Sequence, residues 1–405
     1  MCRLWTVLLV CGYGCAATGA QSSLEQLRRS AKQLWSQGEL AQAAKQYREV
    51  LSLDEKSGDT SLHVAADLYA NGSLAVEMDQ LSDAKVYFQR SMDRVRGKPL
   101  SEAQLRSSIG SLLALEGNFS EAEANLKMAI AGFAKYAGTN DLRTAKAWNS
   151  LGWVYMTSGS MNKAGAALDR AQSIVDHAMA PDSTERVPFL DYHAEFLAQM
   201  ARYSEAERLW HQALAIVEKS LGTGQPQFDV LLLHLGHMYA SIGEYSAAKE
   251  ALERFLSIEE KAVPGGSLAQ GVALGELGNV YAHLKDNANA EPTLAKSMDM
   301  LRSIPGNVPL AGALVGTYLG DYFMSRQRWS EAADQYRQVL DTRQKLVPNT
   351  ALVAGTMNAF SMALDKLKEK AAARRYKKQA EAILAEQRNP VYRGYTVDVK
   401  SFSTR

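Results

Sequence analysis

The chain has 405 residues, of which 46% are hydrophobic and 22% charged, a composition that buries a large core and excludes disorder as the general state. Its 45 Lys and Arg stand against 44 Asp and Glu, a formal charge of +1. No global field therefore draws it to nucleic acid or to an anionic membrane surface.

Residues 1–20 differ from all that follows. Arg3 precedes the apolar run Leu4 to Val10, and small residues lead through Cys15, Ala16 and Ala17 to Ala20. This pattern reads as a secretory signal peptide cleaved near Ala20, which places the mature chain outside the cytoplasm, periplasmic or secreted. The run is shorter than the roughly 20 residues that span a bilayer as a helix, and no later segment is long and apolar enough. Cys2, Cys11 and Cys15 are the only cysteines, so cleavage leaves no disulfide, thiol nucleophile or thiolate ligand. Gly14-Cys15-Ala16 is similar to a bacterial lipoprotein cleavage site, although Gly12 stands where an aliphatic residue is usual. Lipidation of Cys15, and with it membrane anchorage, is the alternative to simple export.

Residues 21–388 repeat themselves. Gly110, Gly152, Ala194, Gly236, Gly278 and Gly320 succeed one another every 42 residues, with Gly72 and Ala31 in the same place further back. Around them returns one apolar pattern: Trp148, Leu151, Gly152, Tyr155, then Ala164, Leu168 and Ala171, and again Leu232, Leu235, Gly236, Tyr239, then Ala248, Leu252 and Phe255. The spacing i, i+3, i+4, i+7 is the buried stripe of one helix, and a second helix faces it. About eight such pairs are expected, with a degenerate ninth around Ala372 and Tyr376. A mid-helix glycine costs about 1 kcal/mol relative to alanine, so its recurrence implies close helix approach, with Ala122, Ala164, Ala206, Ala248, Ala290 and Ala332 as small partners. Ser82, Ser120, Ser204 and Ser330, each followed by an acid and an alanine, are read as caps of the second helices.

The pattern resembles the tetratricopeptide repeat family from about Leu24 to Leu384, and its 42-residue unit is similar to the kinesin-light-chain type. The resemblance implies an all-α, right-handed superhelix of antiparallel helix pairs. It also implies that the first helices line a concave groove for extended peptides or partner segments. Ala194 in place of glycine, Pro292 inside a second helix and the unit after Gly320 depart from the pattern.

Several residue groups bear on catalysis. Ser82/Lys85, Ser160/Lys163 and Ser246/Lys249 show the Ser-x-x-Lys spacing of penicillin-binding enzymes, but occupy one repeat position and lack a Lys-Thr-Gly partner, so the capping reading is preferred. His193-Ala-Glu195 lacks the cysteines that would complete a zinc deaminase signature. His234 and His237 are half a metal site, and no complete metal or nucleotide motif is present, so no cofactor is expected. The basic run Lys366, Lys368, Lys370, Arg374, Arg375, Lys377 and Lys378 reads as the solvated face of a terminal capping pair, with an anionic surface or acidic partner as the alternative.

The helix face one residue beyond the buried stripe holds the candidate binding residues: Asn149 and Trp153, Asp191 and Glu195, His237, Asn279 and His283, and Asp321. Trp153 is expected as an exposed aromatic anchor beside amides that bond a peptide backbone. The stripe holds no lysine or arginine from Asn149 to Ser325, so a neutral or basic partner is expected. The reading is a non-catalytic protein- or peptide-binding scaffold. Its alternatives are a structural lipoprotein of an envelope assembly and a solenoid with a hydrolase activity. Residues 389–405 form a tail, extended or disordered, in which Tyr395, Val397 and Val399 alternate as in a strand.

Overall fold

The structure, a computed structural model, describes residues 19–36, 39–57, 62–78, 80–222, 226–263, 265–304 and 309–387. Residues 1–18, Cys15 among them, and the tail with any strand in it lie outside the described residues, while Gly19 and Ala20 open the first helix.

Eighteen α-helices, taken two by two, make nine pairs among the described residues. They are α1 (Gly19–Ser36) with α2 (Leu40–Ser57), α3 (Leu62–Glu77) with α4 (Leu81–Arg94), and α5 (Pro99–Leu115) with α6 (Phe119–Tyr136). Then come α7 (Leu142–Thr157) with α8 (Met161–Ala178), α9 (Val187–Gln199) with α10 (Tyr203–Leu221), and α11 (Pro226–Ile242) with α12 (Tyr245–Ala262). Last are α13 (Leu268–His283) with α14 (Asn287–Ser303), α15 (Pro309–Ser325) with α16 (Trp329–Leu346), and α17 (Ala351–Lys366) with α18 (Lys370–Gln387). A single 3-10 turn, Thr184–Arg186, precedes α9. The chain divides after Pro181 into an N-terminal and a C-terminal unit. Within each unit every helix packs on the next, and first helices of successive pairs also touch directly, as α3 with α5, α5 with α7, α9 with α11, α11 with α13 and α13 with α15.

The recurring glycine admits a bulky side chain from the second helix. A methyl group placed on Gly110, Gly152, Gly236 or Gly278 would lie 2.6–2.7 Å from Leu126, Leu168, Leu252 or Leu294; on Gly72 or Gly320 it would meet the ring of Phe88 or Tyr336. This corrects the expected pairing with the small alanines. Those alanines are fully buried but bring backbone near, as Ala122 does, with its carbonyl 3.2 Å from the same point over Gly110. Ala194 replaces the glycine opposite Trp210, and both belong to the core that runs from Val187 to Val280. In the last pair Ser361 donates its hydroxyl to the Ala373 carbonyl of α18 at 2.8 Å.

The serine caps are also corrected. Ser82, Ser120, Ser204 and Ser330 are the second residues of α4, α6, α10 and α16, whose cap positions Gln80, Asn118, Arg202 and Arg328 make no side-chain cap bond. The turn itself satisfies the end of the first helix. Gly117, Gly159, Ala201, Gly243, Lys285 and Gln327 take left-handed φ between 58° and 84°. The next residue's N–H then bonds back to the first helix, as Asn118 to Leu113 at 2.8 Å and Arg202 to Leu197 at 2.8 Å. The acids of the first turn, Asp83, Glu121, Glu205 and Glu331, keep the place that the helix dipole favours.

Candidate functional site

In the C-terminal unit charge is segregated by helix. The first helices α9, α11, α13 and α15 hold Asp191, Glu195, Asp229, Glu276 and Asp321 and not one lysine or arginine. The cations sit on the second helices, for example Arg208 and Lys219 of α10, Lys249 and Arg254 of α12, and Arg337 and Arg343 of α16.

Four of these carboxylates have a side-chain neighbour within hydrogen-bonding distance on at least one oxygen. Asp191 accepts from the Trp210 indole N–H at 2.8 Å and lies 2.7 Å from Nδ1 of the half-buried His234. Glu195 is buried and accepts from Gln199 at 3.3 Å. Nδ1 of His237 lies 2.7 Å from Oε1 of Glu276, the histidine exposed and the glutamate buried. Asp321, open to solvent on one side, accepts from the Tyr336 hydroxyl at 2.5 Å. Crowding by its neighbours pushes the Asp321 carboxyl above the usual range, against the Tyr336 bond and the positive fields of His283 and Arg343. Burial likewise raises the Tyr318 phenol, which also feels Glu276. His283 is exposed and stacks on Tyr245, ring centroids 4.3 Å apart, while Asn279 is half-buried.

Asp191, Glu195, His237, Asn279, His283 and Asp321 thus fall on successive first helices of one unit. Asn149 and Trp153 belong to the other unit and are buried. Trp153 is 8% exposed, which overturns its reading as an exposed anchor; Trp148, expected in the core, is the half-buried one. The reason is that α7 packs against α5, α6 and α8, so its buried arc is wider than one stripe.

His234 and His237 point to different carboxylates, Asp191 and Glu276, rather than to a shared point. Among the described residues no group of three or more His, Cys, Asp or Glu is arranged to hold a metal, and no helix is long and apolar enough to cross a membrane. The lysines of the Ser-x-x-Lys triplets are engaged elsewhere. Lys85 pairs with Glu116 at 3.5 Å, and Lys163 and Lys249 lie over the Tyr155 and Tyr281 rings. The basic run from Lys366 to Lys378 is solvent-exposed from the last residue of α17 through the turn into α18. Sequence reasoning missed Glu276, Tyr318 and Tyr336. A glutamate inside the otherwise uncharged α13, between glycines and leucines, was the signal for the first.

Tetratricopeptide repeat models match residues 145–174 and 189–261, the second covering α9 to α12 and with them Asp191, Glu195 and His237. The chain is a tetratricopeptide repeat protein. Its repeats are of the 42-residue kind, and the paired helices continue the same fold beyond the matched residues. The apo form of the quorum sensor NprR from B. thuringiensis aligns with this repeat protein over 90% of the chain and 99% of its own, at 13% identity and TM-score 0.63. A Rap protein complexed with Competence and Sporulation Factor aligns over 90% and 98%, at 13% identity and TM-score 0.58. A putative kinesin light chain repeat structure from Podosopora anserina covers 49% of this chain and 95% of its own, at 20% identity and TM-score 0.43. No curated protein sequence matches this repeat protein.

Proposed function

We propose that this tetratricopeptide repeat protein is a non-catalytic scaffold that holds an extended, neutral-to-basic protein segment along α9, α11, α13 and α15. The observation that carries the reading is the charge segregation: acids alone on four successive first helices, with His237, His283 and Asp321 exposed among them. Such a face attracts cationic segments and repels acidic ones. Two proteins of the same fold, one described as a quorum sensor and one as a complex with a Competence and Sporulation Factor, favour a protein or peptide as the ligand, whose charge preference is read from the face alone. Asn149 and Trp153 stand outside this face.

The scaffold acts outside the cytoplasm on the strength of residues 1–20, and the protein recovered there is expected to have an intact mass that starts near Gln21. Gly14-Cys15-Ala16 favours a second form, an envelope lipoprotein, which a diacylated Cys15 in the same measurement would establish; retention of residues 1–20 would exclude both.

Binding is tested by fluorescence anisotropy against octapeptide libraries of opposite charge. Basic and neutral members are expected to bind, with affinity lowered at least tenfold by Asp321→Lys in protein whose circular dichroism shows the helices still folded. Tight binding of acidic peptides to this face would end the proposal.

A further inference from the structure

Glu276 is the least explained group on the polar face. It sits in α13, is 5% exposed, and uses one oxygen only: Oε1 meets His237 at 2.7 Å, while no hydrogen-bond donor among the described residues reaches Oε2. A buried carboxylate with an unsatisfied oxygen is unfavourable, and a neighbouring cation is the usual remedy. None is available on α11, α13 or α15, which hold no lysine or arginine. The one side chain hydrogen-bonded to it, His237, is more than half exposed at 56%.

We infer that Glu276 receives a guanidinium group of the bound segment, an arginine side chain that takes the place of His237. The imidazole offers Glu276 one N–H and leaves Oε2 bare. A guanidinium offers two parallel N–H groups in a fixed fork and satisfies both oxygens at once, whereas an ammonium does not reproduce that geometry. Tyr318 of the next first helix feels the Glu276 charge. The bound arginine therefore lies between α11 and α15, over α13. This assignment rests on the proposed binding face and specifies its preference.

The test uses the full chain. Arginine amide at millimolar concentration is expected to shift the His237 ring resonances in a histidine-selective NMR spectrum, and citrulline amide to leave them in place. Glu276→Gln keeps the side chain's size and is expected to abolish the shift. In octapeptide libraries with one fixed residue, arginine is expected to exceed lysine several-fold and citrulline more than tenfold. Glu276→Gln should erase that order, and His237→Ala, which removes the competing donor, should strengthen arginine binding. If peptides bind equally well to the wild type and to Glu276→Gln, with citrulline as good as arginine, the assignment is wrong while the scaffold reading stands. If no peptide binds but arginine amide still moves His237 in a Glu276-dependent way, the guanidinium site stands and the scaffold reading falls. Absence of both effects overturns both.

Discussion

In the first repeats a partly buried charge cluster shows how single side chains set local stability. Arg28 of α1 donates through Nε and Nη2 to both oxygens of Asp67 in α3, at 2.9 to 3.2 Å, and Nη2 also reaches Asp54 of α2 at 2.8 Å. Both aspartates are at most 3% exposed, so one half-buried cation faces two buried carboxyl groups. Burial pushes the Asp67 carboxyl up to about 6; Arg28 opposes this and the neighbouring Asp54 adds to it. Because the folded value lies above the ordinary 3.8, the stability that Asp67 contributes is fully present below pH 3.8 and is lost as pH rises through about 6. Asp54→Asn removes the like charge beside it. The variant is expected to melt higher than the wild type at pH 7, with the difference narrowing toward pH 4. Parallel melting curves at pH 4, 5, 6 and 7 check this, and equal pH slopes in the two proteins would contradict it.

At the scale of the helix pair, the left-handed residue seven places after each recurring small residue governs the turn. Glycine fills it at 117, 159 and 243, but Ala201, Lys285 and Gln327 hold the same conformation at φ of 58°, 61° and 62°. A side chain in that region costs roughly 1–2 kcal/mol, part of which glycine's greater freedom in the unfolded chain offsets. Gln327→Gly is therefore expected to stabilise the α15–α16 pair by about 0.5–1 kcal/mol, and Gly159→Ala to destabilise α7–α8 by a similar amount, measured by chemical denaturation. The same turn shows where sequence reading succeeded and failed. The 42-residue recurrence and the paired helices were legible because the core requires a small residue opposite Leu126, Leu168, Leu252 and Leu294 in register. The caps were not, because Ser82 and Ser120 look like N-caps, whereas each lies two places past the cap position of its helix, held by Gln80 and Asn118. The acidic face was legible as the absence of cations from one stripe. Trp153 was misread because a helix with three packed neighbours buries more than its apolar stripe, and Glu276 was overlooked because its position normally belongs to the buried arc.

For the whole molecule the formal charge of +1 conceals an ordered separation of charge. The field that a ligand meets is set by the helices it touches, since charges beyond roughly 10 Å are largely screened at 0.1 M salt. A segment laid along α9, α11, α13 and α15 meets carboxylates first, while the lysines and arginines of α10, α12, α14 and α16 lie on the second helix of each pair. Exposed Asp321 acts through this screened field, and buried Glu276 acts at contact, where screening is weak. The two contributions should separate with ionic strength. Between 50 and 500 mM salt the association rate of an arginine-bearing peptide is expected to fall several-fold, and Asp321→Lys to remove most of that fall. The loss of affinity caused by Glu276→Gln should appear mainly in the dissociation rate and change little with salt. Stopped-flow association and dissociation across that range decide it. A salt dependence that survives Asp321→Lys undiminished, or a Glu276→Gln effect that vanishes at high salt, would show that the face works by diffuse attraction alone.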